Sequence, residues 1–170
     1  MTELEEFRRQ KDEFFQHSQH SPLKPEQRRS FTGLRYFPQN PDLDLTVDVE
    51  RDQEKKPVTM QTNTGTAQLY ERYGRFSLTV EGQAVGLTMY RNQHGFFLPF
   101  VDSLAGHETY PAGRYLEPEE VGKNRFRVNF NMAYNPYCAY NELWSCPITP
   151  AENRISVPIR AGERVFEEHG

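Results

Sequence analysis

Cys138 and Cys146 are the only cysteines in this chain of 170 residues, and Trp144, its only tryptophan, stands between them. All three fall in residues 130–147, FNMAYNPYCAYNELWSCP, where Phe130, Tyr134, Tyr137, Tyr140 and Trp144 make five of eighteen positions aromatic. A second stretch, DSLAGHETYPAGRY at 102–115, supplies Asp102, His107, Glu108, Tyr110, Arg114 and Tyr115. These residue types support more than one chemistry. A thiolate at Cys138 becomes a nucleophile if His107 serves as its base and Asp102 or Glu108 orients that base. Asp102 and Glu108 form an acid–base pair if unlike surroundings separate their pKa values. Either carboxylate can instead take the guanidinium fork of Arg114 and fix the loop. The C-x7-C spacing is too long for a zinc knuckle, and no metal site is expected. A disulfide is the third use of the pair; small buried apolar residues are the fourth, and the plainest.

If the two loops meet at one end of the fold, they form a polar-aromatic pocket. Arg114 would receive a carboxylate or phosphate there. Tyr110, Tyr134 and Trp144 would supply walls, with Asn131 and Asn135 as polar contacts. The competing reading is structural: asparagines cap turns, prolines stiffen the path, and aromatics bury a segment that cannot join a ladder.

The elements that must position these loops are mostly strands. Residues 2–19 read as a helix, opened by a capping box of Thr2 and Glu5 and carrying Leu4, Phe7, Phe14 and Phe15 on one face. His17 and His20 share a face near its end, within QHSQH, which reads as solvated rather than metal-binding. Pro25 starts a short helix that Gly33 ends. From Leu43 the period becomes two: Leu43, Leu45, Val47 and Val49, then Phe76, Leu78 and Val80, then Val85, Leu87 and Met89, and later Phe126, Val128 and Phe130. The charge run ERDQEKKP at 50–57 reads as an exposed hairpin loop. Asn63-Thr64-Gly65 marks a turn, Pro99 an edge or bulge in the strand at 96–102, and RISVPIRAGE at 154–163 a last strand. About eight short strands predict an all-β fold, an antiparallel barrel or sandwich with an N-terminal helical arm. The chain is expected to be one domain, 1–41 the arm and 42–170 the β body.

Composition narrows the function classes. The net charge is −4 and the pI near 5.8, so no nucleic-acid partner is expected. Mean hydropathy is −0.83 and no apolar run approaches a membrane span, so no membrane partner is expected either. The charged N-terminus is unlike a secretory leader. These features predict a cytoplasmic protein whose two cysteines are reduced.

Motifs in the second half carry a resemblance. FFLPFVD, ETYPAGRYLE, FNMAYNPYCAY, the Cys146-Pro147 pair, and ENR followed by AGE occur in that order over residues 96–163. They closely resemble domain-of-unknown-function family 1684, whose members are prokaryotic. The N-terminal segment around SPL and YFPQNP is similar too. At Asn129 the family more often has Asp. The resemblance implies no reaction, cofactor or catalytic residue.

The chain therefore reads as a small-molecule- or partner-binding protein with its pocket between loops 102–115 and 130–147. Two alternatives stand: a hydrolase-like enzyme using Cys138 or the Asp102, His107 and Glu108 set, and a flavin-binding split barrel, which rests on size and strand count alone. Ligand, cofactor and oligomeric state do not follow from the sequence.

Overall fold

Helix α1 (Glu3–His17) starts where the capping box places it. The Glu5 N–H donates to Thr2 Oγ1 at 3.1 Å, and the Thr2 N–H donates back to the Glu5 carboxylate at 3.2 Å. The computed structural model describes residues 2–166. Helix α2 (Pro25–Ser30) has proline in its first turn, where the missing N–H costs nothing. Together the helices present Phe15, Leu23 and Phe31 to the buried ring of Tyr140, and the ring of Phe15 meets that of Tyr140 edge-on at 4.9 Å.

Eight strands follow: β1 (Asp44–Asp48), β2 (Glu50–Gln61), β3 (Ala67–Val80), β4 (Gln83–Asn92), β5 (Gly95–Phe100), β6 (Arg114–Leu116), β7 (Glu119–Gly122) and β8 (Arg125–Asn129). They form two antiparallel sheets, β1-β8-β7 and β2-β3-β4-β5-β6. Each sheet keeps its own edge strands, so the body is a sandwich and not a closed barrel. The alternation seen in the sequence sets the packing. Phe126 and Val128 of β8 face Phe76 and Leu78 of β3, Leu87 and Met89 of β4, and Leu98 and Phe100 of β5 across one apolar core. The opposite side of the five-stranded sheet carries Met60, Tyr70, Tyr90, Phe97 and Tyr115, and Cys146 from the 130–147 loop covers them.

Two readings of the sequence change. The charge run at 50–57 is not a loop but part of β2, with a register shift between Arg51 and Lys56. This is an edge strand exposed on both faces, so it shows no apolar alternation, and its charges discourage pairing with another chain. Residues 154–163 form no strand: their backbone groups are taken largely by loops and side chains from elsewhere. Strand β7, four residues long and exposed throughout, shows no apolar period in the sequence.

Pro99 sits where the β4–β5 ladder stops. The two strands pair only through Tyr90 and Phe97 and beyond toward the hairpin. Past that point the fully buried Asn153 side chain takes over. Its Oδ1 accepts the Thr88 N–H at 2.8 Å, and its Nδ2 donates to the carbonyls of Thr88 and Pro99, both at 2.8 Å. The amide stands in for a strand that proline prevents.

Asn131 makes a similar link between arm and body. Its Oδ1 accepts the Asn40 N–H at 2.7 Å and its Nδ2 donates to the Asn40 carbonyl at 2.9 Å. Asn131→Ala is expected to cost about 1–3 kcal/mol, because it strands two partly buried backbone groups. Amide exchange at Asn40 should speed up well before that of the sheets; unchanged exchange there would show that the link carries no load.

Candidate functional site

Arg114 opens β6 and is 1% exposed. Its guanidinium donates to the carbonyls of Ala161 at 2.5 Å, Glu163 at 3.1 Å and Ile159 at 2.9 Å, and it stands 3.5 Å from Asp102. Burial pushes its pKa down to about 10, against the pull of Asp102 and Glu163, so it is a cation at neutral pH. It was expected to receive an anionic ligand or to lock its loop through a bidentate carboxylate. It does lock the loop, but through backbone carbonyls, with the carboxylate as neighbour. This is a correction to its role as a ligand residue: every direction in which the fork points is filled by protein.

Asp102, likewise buried, accepts from Thr109 Oγ1 at 2.7 Å and from the Ile159 N–H at 2.8 Å. Glu108 lies at the surface between Arg160 at 3.2 Å and Arg164 at 3.6 Å. His107 is exposed on the same turn. The set Asp102, His107 and Glu108 is therefore split between interior and solvent, which removes the acid–base arrangement anticipated for it. His17 and His20 are also exposed.

Asn131 and Asn135, offered as ligand contacts, are interior residues. Asn135 donates its side chain to the Arg164 carbonyl at 3.0 Å and its backbone N–H to the Glu163 carboxylate. Glu163 was not singled out in the sequence, yet it is the hub of this region. Only 1% exposed, it accepts from Tyr140 Oη at 3.2 Å and pairs with Lys11 Nζ of α1 at 3.1 Å. The AGE triplet was its one signal. Gly162 before it has φ +79°, and an added Cβ would lie 2.7 Å from the carbonyl oxygens of Phe130 and Ala133.

Tyr134, Tyr137 and Trp144 do form walls, but the surface opposite them is α1 and not loop 102–115. A cleft of about 630 Å³ runs between the helix, through Phe7, Lys11 and Phe14, and the loop, through Tyr134, Tyr137, Trp144 and Cys146. Lys11 Nζ sits 5.0 Å from the centre of the Tyr134 ring. Trp144 and Tyr137 meet edge-on at 5.1 Å. Tyr134 Oη donates to Glu117 at 2.6 Å at the rim. Tyr110 lies behind the loop, its Oη 3.9 Å from Cys138 Sγ.

The two sulfurs are neighbours, and both cysteines are free thiols. Both side chains pack into the cluster of Tyr70, Phe97 and Tyr115. The neighbouring Cys138 thiol and nearby backbone N–H groups lower the Cys146 thiol, while the same contact and burial push the Cys138 thiol up.

Comparison with protein-family models matches residues 29–164 to the family described as protein of unknown function, DUF1684. The chain belongs to this family. The DUF1684 chain is also similar to the solution NMR structure of an uncharacterized protein from gene locus rrnAC0354 of Haloarcula marismortui. The identity is 33% over 98% of this chain and 94% of that one, with a TM-score of 0.74. Among curated proteins nothing matches.

The motifs on which the DUF1684 resemblance rests supply the polar links just described. Asp102, Arg114, Asn135 and Glu163 join through residues 159–163, while Asn131 ties the arm to the body and Asn153 ties Pro99 to β4. Asn129, where Asp is commoner, only accepts from the N–H and side chain of Asn131, at 3.1 and 2.9 Å. A carboxylate would accept the same bonds. Most of the DUF1684 signature in this chain thus holds the loops, and the cleft lies on the surface they create. No helix among the described residues is long and apolar enough to cross a membrane.

Proposed function

We propose that this DUF1684 protein binds a planar, largely apolar small molecule in the cleft between α1 and the 130–147 loop. The observation that carries the reading is the exposure of large aromatics on both walls of one cleft: Phe7 and Phe14 are each 38% exposed and Trp144 is 41% exposed. Exposed aromatics that converge, rather than scatter, mark a contact surface. The volume of about 630 Å³ falls inside the range of roughly 300–1,000 Å³ common for small-molecule sites. Lys11, paired with Glu163 and lying over Tyr134, is the cationic group of the slot, and Glu117 stands at its rim. A flat ring system with a single anionic group matches those walls.

Trp144 makes the test direct, since the chain has no other tryptophan. Anilinonaphthalene sulfonate, a flat anionic dye, should bind saturably at one site and quench Trp144. Flavin mononucleotide serves as a second planar anionic probe in the same titration. Phe14→Ala should weaken dye binding about tenfold without lowering the melting temperature, because it removes roughly 1.4 kcal/mol of ring burial. Saturable binding that Phe14→Ala and Trp144→Ala leave unchanged, or no saturable binding at all, rejects this cleft as the site.

A further inference from the structure

We infer that Cys146 and Cys138 form a dithiol–disulfide exchange site opening on the cleft, with Cys146 as attacking sulfur, Cys138 as resolving sulfur, and small-molecule disulfides as substrates. The inference shares the cleft with the reading above but goes beyond it, since it requires no stable complex.

Four observations support it. First, the two thiols, eight positions apart in sequence, pack into one buried cluster on a loop pinned to the sheet. The Cys146 N–H donates to Asn63 Oδ1 at 2.7 Å and the Asn63 N–H to the Cys146 carbonyl at 3.2 Å, so the backbone carrying this sulfur is fixed on both sides. Second, the pair is asymmetric in its surroundings. The Cys146 thiol is lowered by its neighbours while the Cys138 thiol is raised, the relation an attacking and a resolving sulfur need. Third, only one of the pair faces the entry. Cys146 lines the cleft with Trp144 and Ser145, whereas Cys138 lies behind it against Tyr110 Oη at 3.9 Å. Fourth, both cysteines are free thiols, as the reduced state of such a pair requires.

The chemistry balances within the pair. The Cys146 thiolate attacks one sulfur of a disulfide R–S–S–R; the S–S bond breaks, RS⁻ leaves, and Cys146 holds a mixed disulfide with the other R–S group. The Cys138 S–H then gives its proton to the departed thiolate, and its sulfur attacks Cys146, expelling the second RS⁻. The two thiols are oxidised by two electrons to one internal disulfide, and R–S–S–R is reduced to two thiols. Excess small thiol runs the sequence backwards.

The test uses the native, reduced protein and an aromatic disulfide, dithiobis-nitrobenzoate, whose released thiolate is coloured. Wild type should release two equivalents in quick succession and end with a Cys138–Cys146 disulfide and no retained adduct, as read by intact mass and peptide mapping. Its rate should rise with a midpoint below that of an ordinary thiol, because the Cys146 thiol is lowered. Cys138→Ser should release one equivalent at a comparable rate and retain the adduct on Cys146. Cys146→Ser should react at least tenfold more slowly than Cys138→Ser. Two retained adducts on wild type, or a rate midpoint at the pH of an ordinary thiol, overturns the inference even if neither variant folds. The two proposals fail separately on the native protein: no saturable dye binding rejects the cleft reading alone, and no internal disulfide rejects this one alone.

Discussion

Arg114→Ala is expected to yield no soluble folded protein. The change leaves three interior carbonyls without a donor and Asp102 without its nearest cation. Each stranded carbonyl costs about 1–3 kcal/mol, and an uncompensated buried carboxylate about 3–5 kcal/mol. Together these reach the whole stability of an ordinary domain, about 5–15 kcal/mol. Arg114→Lys is the informative variant. An ammonium keeps the charge beside Asp102 but cannot reach three carbonyls in one plane. A loss of about 3 kcal/mol should lower the melting temperature by roughly 6–12 °C in a chain of this size. A melting temperature unchanged within a degree, with anion binding weakened instead, would show that Arg114 serves a ligand after all.

The second large effect is expected at Asn153, and it should depend on pH. In Asn153→Asp the shape is kept and one oxygen can still accept the Thr88 N–H. The other oxygen replaces an NH₂ group that donates to the carbonyls of Thr88 and Pro99, so it faces two acceptors. A buried carboxylate there is repelled by both and costs about 3–5 kcal/mol at neutral pH. The sign follows from linkage. Burial and the two carbonyls raise the new carboxyl's pKa in the folded state above its unfolded value of about 3.9. Below that value both states are protonated, and the ionisation penalty vanishes. It grows as pH rises through the unfolded pKa and levels off above the folded one. Thermal melts of wild type and variant should therefore diverge from pH 3 upward. A gap that stays constant from acid to neutral pH would mean that the change acts through shape alone.

How much of this was legible in the sequence depends on what pairs with what. Phe76, Leu78 and Val80, and Phe126, Val128 and Phe130, alternate because one face of each strand meets the core, so an all-β body could be read from period two, but not whether it closes into a barrel. Residues 154–163 carry the same alternation but make no ladder. Their backbone partners are side chains such as Arg114 and Asp102, from fifty residues away, and no local pattern records that. The charge run in β2 failed in the opposite way: an edge strand with both faces in water has no apolar period to show. At the site, the aromatic density of 130–147 pointed to Tyr134 and Trp144, and the structure places both beside a cleft. Phe7 and Phe14 on its other side read in the sequence as the thin packing stripe of a helical arm. Cys138 was the candidate nucleophile there, and no local pattern records that Cys146 is the one lining the cleft.

The three carbonyls that hold Arg114 belong to residues 159–163, whereas all eight strands are complete by Asn129. During synthesis, therefore, both sheets emerge while the cation at the start of β6 has Asp102 but none of its three carbonyls, and Glu163, which ties down the first helix, does not yet exist. A nascent chain at that stage carries a half-satisfied ion pair at its centre and an unlatched N-terminal helix, the kind of partly formed surface that invites chaperones. The interior closes only once codon 163 has been read. A message truncated a few codons earlier encodes every strand of the fold, yet its product should be cleared by quality control as unfolded.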